Sequence, residues 1–228
     1  MEVTTVEVWA VPLDPPDPVP AELFAVLDDA ERHRAGQLRL ELERRRFVVA
    51  HGVVRRIAGR YLDLPAERIR WAYGSEGKPE LAGAPDALHV NLSHSAQLCL
   101  VAVSRHRAVG VDVERLPAGP DAVALARRYF PADEARYVAD ARGPQRQSAR
   151  FARLWTRKEA CVKAAGGRLA QGLPLPVLGT GAVLVDHPDG ALPGRYLVRD
   201  LRVPPGFAAS VALADTGPYR VLRREWRG

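Results

Sequence analysis

Apolar residues recur along this chain with two different periods, and the period changes from one segment to the next. Apolar and polar residues alternate over residues 2–11 and 108–114, a pattern typical of strands with one buried face. Over residues 21–64 and 150–168 the apolar residues are three or four positions apart, as in amphipathic helices. The two periods together predict a mixed α+β fold.

The order of the predicted elements suggests an internal duplication. A helix followed by a strand, a turn and a strand occurs twice. Phe47 and Arg55 in the first helical region correspond, 108 residues on, to Trp155 and Lys163. The shorter predicted elements are strands at 69–73, 88–92, 98–104, 182–186, 196–203, 208–214 and 219–226, and helices over 121–140 interrupted near Pro131. We therefore predict two similar α+β halves, residues 1–106 and 107–228, related by pseudo-twofold symmetry with a ligand cleft between them.

The helix predicted over residues 150–168 is rich in Ala, Leu, Arg, Lys and Glu, and two glycines from residue 166 would end it. One stripe of it carries two aromatic residues, a carboxylate and an ammonium: Phe151, Trp155, Glu159 and Lys163. Residues four apart lie above one another on a helix. Alone, this stripe is better explained by core aromatics followed by a surface ion pair of about 0.3–0.5 kcal/mol.

The strand predicted at residues 108–114 reads A-V-G-V-D-V-E, so its valines face one side and Gly110, Asp112 and Glu114 face the other. A half-exposed strand with a polar outer face is the plain explanation. Gly110, however, leaves room beside the acids for a ligand or ion, and Glu159 offers a third carboxylate. Converging carboxylates repel unless a cation lies between them, and oxygen ligands suit Mg²⁺.

Two further segments are candidates for binding. N-L-S-H-S at residues 91–95 is predicted as a strand end running into a turn, where its hydroxyls and amides either complete the turn or hold a phosphate. Adjacent strand residues point to opposite faces, so Ser93 and His94 there cannot form a hydrolase pair. G-K-P at residues 77–79 is predicted as a turn. Gly-rich nucleotide loops and zinc-type Cys/His spacings are absent from the sequence.

Composition narrows the class of protein. The 228 residues are 47% hydrophobic and 26% charged, which is typical of a globular protein, and no apolar run approaches the roughly 20 residues of a membrane span. Cys99 and Cys161 lie in apolar segments, as expected for reduced thiols in the cytoplasm. The net charge of +6 favours an acidic or phosphate-rich partner.

Four segments occur in an order and at separations that resemble the 4′-phosphopantetheinyl transferases: G-K-P (77–79), N-L-S-H-S (91–95), G-V-D-V-E (110–114) and F-x-x-x-W-x-x-K-E-A-x-x-K (151–163). More narrowly, the chain is similar to the larger, surfactin-synthetase-activating type, which has two similar halves in one chain. The resemblance covers residues 32–214, and its last two segments together are highly specific.

The resemblance implies an enzyme that moves the phosphopantetheine arm of coenzyme A to a serine hydroxyl of an acyl or peptidyl carrier protein and releases adenosine 3′,5′-bisphosphate. It implies Mg²⁺, or Mn²⁺ in its place, on Asp112, Glu114 and a third ligand that is either Glu159 or water. Glu159 would take the serine proton, directly or through a water, and Lys163 would stabilise charge on the leaving phosphate. The implied setting is secondary-metabolite biosynthesis by a cytoplasmic monomer with an internal pseudo-dimer.

The resemblance also implies which residues contact coenzyme A. Basic side chains would hold the 3′-phosphate, two residues would border the adenine, and one hydroxyl would meet the pyrophosphate. These are Arg46, His94 and Arg32, then Lys78 and Pro79, then Ser93. The positive net charge suits an acidic carrier-protein surface, with fast association that salt weakens.

Three alternatives remain open at this stage. One is another Mg²⁺-dependent phosphoryl transfer or hydrolysis on a nucleotide. Another is a non-catalytic coenzyme A or carrier-protein binding module on the same fold, although binding alone needs neither Glu159 nor Lys163. The third, a nucleic-acid binder, accounts for the charge, but few aromatic residues (7%) and the acids of the candidate site argue against it.

Overall fold

The computed structural model describes residues 3–74, 76–83, 88–116, 122–186 and 192–227, and it has the mixed α+β fold that the sequence predicts. The helices are α1 (Val19–Ala25), α2 (Asp29–Gln37), α3 (Glu41–Leu62), α4 (Ala122–Tyr129), α5 (Ala132–Ala139), α6 (Pro144–Ala165) and α7 (Leu169–Gly172). The strands are β1 (Thr4–Pro12), β2 (Trp71–Tyr73), β3 (Pro79–Leu81), β4 (Leu88–Ser95), β5 (Leu98–Arg105), β6 (Val109–Arg115), β7 (Val183–Asp186), β8 (Arg195–Asp200), β9 (Phe207–Ala214) and β10 (Tyr219–Glu225).

Two four-stranded sheets form the centre of the molecule. Their strand orders are β10-β1-β5-β4 and β6-β9-β8-β7, and β2 pairs with β3 in a separate hairpin. Helices α1 to α3 pack on the first sheet, while α4 to α6 pack on the second. A third apolar cluster, built mainly from alternate residues of β1, β5, β6 and β9, lies between the two sheets. The sheets are therefore covered by helices on their outer faces and by each other on their inner faces.

The two sheets have the same order of connections. Each begins with a strand, continues through helices, and ends with an antiparallel hairpin whose second strand pairs with the first strand: β1 with β5, and β6 with β9. The hairpins predicted as counterparts are therefore present, while the pseudo-twofold symmetry stays a prediction. β10 departs from this scheme, because it leaves the second half and pairs in parallel with β1. The predicted boundary at residue 106 falls between β5 and β6, and the division into two units also stays a prediction.

Helix α6, the element around which the candidate site is built, is longer than predicted. It begins at Pro144, where a proline in the first turn loses no helical hydrogen bond, and it ends as predicted at Gly166, whose φ is +72°. Arg157 is fully buried and donates to both carboxylate oxygens of Asp200 at 2.6 and 2.9 Å. Lys158 is also fully buried, 2.7 Å from Oε2 of Glu134. These pairs fix the rotation of α6 against the second sheet.

A second buried cluster of charges joins the helices of the first half. Asp28 accepts the backbone N–H of Glu31 at the start of α2, and Glu31 accepts that of Asp28 in return. Arg55 of α3 is fully buried, lies 2.5 Å from Oε2 of Glu31, and also pairs with Asp28. His51, one turn earlier on α3, hydrogen bonds to Glu31 at 3.2 Å. One arginine therefore attaches the start of α2 to the middle of α3.

One prediction about local structure is wrong. Strand β4 continues through Ser95, so the N-L-S-H-S segment is not a strand end running into a turn; the turn is formed by Ala96 and Gln97, with Ala96 at a φ of +51°. The stretch after residue 168, for which no element was predicted, contains the short helix α7. The extension of β4 matters for function, because it places the polar side chains of this segment along the edge of a sheet.

Candidate active site

Strand β6 presents two acidic residues to helix α6, and a glycine lets the helix approach. A Cβ atom on Gly110 would lie 2.1 Å from the carbonyl oxygen of Ala160 and 2.4 Å from the nitrogen of Ala164. The prediction that Gly110 leaves room for a ligand or ion is therefore wrong, since the backbone of α6 fills that room. The glycine instead allows close helix–strand packing. Asp112 and Glu114 follow on the same face, as the alternation of β6 predicts.

Asp112 is the most buried member of the site, with 2% of its surface exposed. Its Oδ1 atom accepts hydrogen bonds from Ser93 Oγ at 2.8 Å and from Lys163 Nζ at 2.6 Å. Its Oδ2 atom is buried and has no hydrogen-bond partner among the described residues. A buried carboxylate oxygen without a partner is costly. This oxygen therefore fits the role of a ligand to a cation.

Glu114 lies two residues on, at the more open end of β6. Its Oε2 atom accepts a hydrogen bond from Ser95 Oγ at 2.9 Å. Burial and the negative charge of Asp112 raise the pKa of Glu114, while Ser95 and Lys163 act in the opposite direction. The carboxyl therefore carries an electrostatic penalty that a nearby cation would relieve.

Glu159 and Lys163 reach the site from α6, one turn apart. Burial raises the pKa of Glu159, Lys163 opposes this, and Asp112 and Glu114 raise the pKa further. Lys163 forms its ion pair with Asp112 and also donates to Ser93 Oγ at 3.0 Å. The sequence alone suggested a surface ion pair between Glu159 and Lys163. The Lys163 ammonium is instead paired with Asp112. Lys163 therefore connects the helix to both β4 and β6.

The carboxylates of Asp112, Glu114 and Glu159 are close enough for their charges to shift the pKa of a neighbour, but they do not form a complete metal site. Within the described ranges, no group of three or more His, Cys, Asp or Glu side chains could hold a metal ion. The donors present are all oxygen atoms, which suit Mg²⁺ or Mn²⁺ more than softer metals. Together with the unpaired Oδ2 of Asp112, they fit a divalent cation that takes two ligands from β6 and the rest from elsewhere.

Lys78 and Pro79 lie where the β2–β3 hairpin meets the end of α6. Lys78 Nζ donates to the carbonyl oxygen of Ala164 at 3.0 Å, and burial lowers the pKa of this lysine. An ion pair between Glu76 of the hairpin turn and Arg168 lies just beyond the helix. A cation at a helix C-terminus is favourable, so the hairpin is attached to α6 by two charged contacts. Pro79 borders a small cavity.

That cavity, of about 80 Å³, lies between the hairpin, α3 and β4. Its walls are partly aromatic and partly polar; they include Trp71, Tyr73, His51, Glu31 and Asn91. A flat ring with hydrogen-bonding edges would suit such walls. The cavity extends the site from the acids of β6 toward the first half of the chain.

The structure brings together two of the three predicted 3′-phosphate contacts. His94 is an exposed residue of β4, and desolvation together with the positive charges of His51, Lys163 and Arg46 lowers its pKa. Arg46 makes a two-point contact with Asp14, at 2.8 and 2.7 Å. Arg32, by contrast, is exposed on α2 and donates to the carbonyl oxygen of Ala25 at 2.9 Å.

Phe151 and Trp155 differ in burial. Phe151 is 7% exposed and stacks on Phe130, as expected for a core anchor. Trp155 is half-buried and, with Phe151, Tyr129 and Glu114, lines an apolar cavity of about 290 Å³. A larger cavity of about 580 Å³, between β1, β5 and β10, contains none of the predicted site residues.

Sequence reasoning did not identify the partners of the predicted site residues. Asn91 and Ser95 hydrogen bond to β6 beside the acids. Asp14, which holds Arg46, lies 32 residues away in residues 12–20, a Pro-rich connector that follows β1. The alternation N-x-S-x-S in β4, opposite G-x-D-x-E in β6, could have indicated the contacts of Asn91 and Ser95. For Asp14 we find no comparable signal in the sequence.

The sequence matches the model of the 4'-phosphopantetheinyl transferase superfamily over residues 108–204. It is 38% identical over 168 residues to the 4'-phosphopantetheinyl transferase HetI of a Nostoc species, a match that covers 73% of this chain and 70% of the relative. It is 31% identical over 172 residues to the 4'-phosphopantetheinyl transferase psf-1 of Bacillus pumilus, covering 73% of this chain and 72% of the relative. A phosphopantetheinyl transferase of a Thraustochytrium species is 28% identical over 244 residues, covering 96% of this chain and 84% of the relative.

Proposed function

The chain belongs to the 4′-phosphopantetheinyl transferase superfamily, a family of enzymes that transfer phosphopantetheine to carrier proteins, and from this premise we propose its donor, its cation and its catalytic residues. The donor is coenzyme A, the acceptor is the serine hydroxyl of an acyl or peptidyl carrier protein, and adenosine 3′,5′-bisphosphate is released. The observation that carries the proposal is the junction of β4, β6 and α6, where Asp112, Ser93 and Lys163 meet within 3.0 Å.

Asp112 and Glu114 are the proposed ligands of Mg²⁺, with Glu159 or a water as the third. A divalent cation bound there would neutralise part of the charge on the pyrophosphate of the donor. The unpaired Oδ2 atom of Asp112 and the raised pKa of Glu114 support this assignment.

Glu159 is the proposed general base. A carboxylate is a better proton acceptor when its pKa is raised toward the working pH, and the pKa of Glu159 is raised by burial and by Asp112 and Glu114. Its position on α6, one turn before Lys163, places it beside the two acids of β6. From there it takes the serine proton directly or through a water.

Lys163 is proposed to stabilise the phosphate that leaves with the nucleotide. Its side chain is 28% exposed and its ammonium is held by Asp112 and Ser93, so the position of the charge is fixed before substrate binds. A fixed charge near developing negative charge stabilises the transition state without reorganisation during the reaction.

The nucleotide of coenzyme A is proposed to lie across β4 and the β2–β3 hairpin. Arg46 and His94, which occupy one basic region, bind the 3′-phosphate, with Arg32 as a third contact. Lys78 and Pro79 border the adenine beside the 80 Å³ cavity. Ser93 is the remaining predicted contact, and its only hydroxyl proton is already donated to Asp112. We therefore propose that Ser93 acts on the pyrophosphate indirectly, through the Lys163 ammonium from which it accepts a hydrogen bond.

The expectations about cellular location, oligomeric state, biosynthetic role and internal symmetry are also proposals. We propose a cytoplasmic monomer that acts in secondary-metabolite biosynthesis, made of two pseudo-symmetric halves, residues 1–106 and 107–228. The proposal includes no nucleic-acid or membrane partner. None of the described helices is long and apolar enough to cross a membrane.

The test is mass spectrometry of an apo carrier protein after incubation with the chain, coenzyme A and Mg²⁺. A gain of one phosphopantetheine on the carrier serine, dependent on the cation, is the expected result. Several carriers from fatty-acid, polyketide and peptide synthetases are needed, with a carrier Ser→Ala variant as control. Binding of coenzyme A without a mass gain on any of them would favour the binding-module alternative instead.

A further inference from the structure

Strands β4 and β6 lie side by side at the junction of the two sheets, and side chains connect them. β4 pairs with β5, and β6 pairs with β9, so each is the edge strand of its own sheet. Three side chains of β4 accept backbone N–H groups of β6: Asn91 from Val111 at 2.9 Å, Ser93 from Val113 at 3.4 Å, and Ser95 from Arg115 at 3.0 Å. We call this row of contacts the side-chain seam.

The side-chain seam has a constant register, but the β6 residue that lies beside each β4 side chain differs. Each β4 residue accepts the N–H of the β6 residue 20 positions later, so the residue 19 positions later lies beside it. For Asn91 that residue is Gly110, which has no side chain. For Ser93 and Ser95 it is Asp112 and Glu114, and each serine donates its hydroxyl proton to that carboxylate, at 2.8 and 2.9 Å.

The direction of these hydrogen bonds is fixed by the partners. A backbone N–H can only donate and an ionised carboxylate can only accept, so each hydroxyl proton must point at the carboxylate. Ser93 also accepts from Lys163, which uses the second lone pair of its oxygen. Each serine therefore connects the backbone of β6 to a carboxylate of β6 and holds that carboxylate in one rotamer.

We propose that Ser95 is a positioning residue, which holds Glu114 in the orientation needed to bind a divalent cation, as Ser93 does for Asp112. This inference rests on the proposed function, because it assigns the cation to these acids. It separates two roles within the seam: Asn91 joins the halves only, whereas the two serines join the halves and orient the acids. Residues that hydrogen bond to metal ligands commonly change metal affinity by about 10–100-fold.

The test compares Ser95→Ala, Ser95→Thr and Asn91→Ala in the full chain. Affinity for Mn²⁺ is measured from the electron paramagnetic resonance signal of free Mn²⁺, with and without coenzyme A. We expect Ser95→Ala to weaken Mn²⁺ binding by about tenfold. Ser95→Thr, which keeps the hydroxyl, should restore it. Asn91→Ala should leave it unchanged, and this control is compared without coenzyme A because Asn91 also lines the 80 Å³ cavity. Hydrogen exchange at the amides of Arg115 and Val111 reports whether each seam contact has been lost.

The Mg²⁺ dependence of turnover gives a second readout. Ser95→Ala should need more Mg²⁺ for half-maximal transfer while keeping its rate at saturating Mg²⁺. Unchanged Mn²⁺ affinity in Ser95→Ala, with faster exchange at Arg115, would show that the seam is only structural and overturn the inference. Equal weakening in Asn91→Ala would overturn it too, as would a wild-type chain that binds no Mn²⁺ even with coenzyme A. If Mn²⁺ affinity depends on the Ser95 hydroxyl but the wild type modifies no carrier, the proposed function fails and the inference stands.

Discussion

The ammonium of Lys163 lies 2.6 Å from Oδ1 of Asp112, the same atom that accepts the hydroxyl proton of Ser93. This leaves Oδ2 of Asp112 as the oxygen without a partner. A cation and the ammonium can therefore share one carboxylate by using different oxygens. Lys163 then remains in place when a cation binds, instead of being displaced by it.

Replacing Lys163 with Met separates these two roles. Turnover should fall by about 10²–10³-fold, because a fixed positive charge near the leaving phosphate is lost. The chain without a cation should lose about 1–3 kcal/mol of unfolding free energy, because Asp112 loses a partner. Adding Mn²⁺ should restore this stability, and Mn²⁺ affinity should equal or exceed that of the wild type. Urea unfolding and Mn²⁺ titration check both points; weaker Mn²⁺ binding would mean that the ammonium helps to form the cation site.

Replacing Glu159 with Gln tests the general base. Turnover should fall by about 10²–10⁴-fold, because the amide cannot accept the serine proton. Binding of coenzyme A, measured by calorimetry, should be largely retained. A variant that fails to fold, judged by circular dichroism, would instead support the structural explanation of the helical stripe.

Replacing Gly110 with Ala tests the packing that brings α6 to β6. The added Cβ would meet backbone atoms at 2.1 and 2.4 Å, which cannot move without shifting the helix. We expect a loss of about 3 kcal/mol of unfolding free energy. Among the molecules that remain folded, turnover should fall by a larger factor than the affinity for coenzyme A. Gly36→Ala is the matched control, because nothing lies within 4 Å of its Cβ in α2, and it should stabilise by about 0.5–1 kcal/mol. Equal stability of the two variants would contradict the close approach.

Arg46 and Asp14 test the assignment of the 3′-phosphate. Arg46→Met should raise the KM for coenzyme A by about tenfold or more, since hydrogen bonds to charged groups contribute about 1.5–3 kcal/mol. It should leave the KM for 3′-dephospho-coenzyme A unchanged. Asp14→Asn removes the carboxylate that competes for Arg46 and should lower the KM for coenzyme A. The same rise in KM for both donors after Arg46→Met would place this arginine elsewhere.

The cluster of Glu31, His51 and Arg55 predicts a pH dependence of stability. Burial alone would raise the pKa of Glu31, but hydrogen bonds and positive charge from His51 and Arg55 outweigh it and lower the pKa. A carboxyl with a lower pKa in the folded state stabilises the fold above its unfolded-state pKa, and this is lost as the pH falls through its folded-state pKa. Glu31→Gln should therefore be less stable than the wild type at pH 7, by about 1–3 kcal/mol.

As the pH falls below the unfolded-state pKa of about 4.3, the difference between wild type and Glu31→Gln should shrink, because the stability that depends on the ionised Glu31 carboxylate is then progressively lost. Urea unfolding at pH 7 and pH 3.5 measures it. Glu22→Gln is the control, since Glu22 is exposed and lies 3.5 Å from Arg56, so its effect should be below about 1 kcal/mol at either pH. A difference for Glu31→Gln that grew at low pH would reverse the sign that we assign.

Elements and faces could be predicted from local pattern, because strand and helix periods are local properties. The alternation of β6 correctly placed Asp112 and Glu114 on one face, and Gly166 correctly ended α6. What covers a face is not local. Gly110 suggested open space because its own segment contains no bulky neighbour, whereas the atoms that fill the space belong to a helix 50 residues later.

Pairing between distant residues was the other part that could not be predicted. Arg46 is of the residue type, and lies in the part of the sequence, expected of a phosphate contact. Its hydrogen bond to Asp14, however, depends on how the Pro-rich connector folds back on α3. The seam depends on two edge strands meeting in one register, which neither strand encodes alone. The alternation correctly identified the acids as a pair on one strand, while the serines beside them were explained only as turn residues or phosphate contacts.

The parallel pairing of β1 with β10 affects how the chain can fold during synthesis. Thr5 and Arg220, which hydrogen bond across this pair, are 215 positions apart. Because synthesis runs from the N-terminus, β1 leaves the ribosome long before its partner exists, and one edge of the first sheet stays open until then. Open edges favour unwanted association, and pairings between distant residues form slowly. The first half therefore depends on the second for a strand, and an expressed fragment of residues 1–106 would retain that open edge.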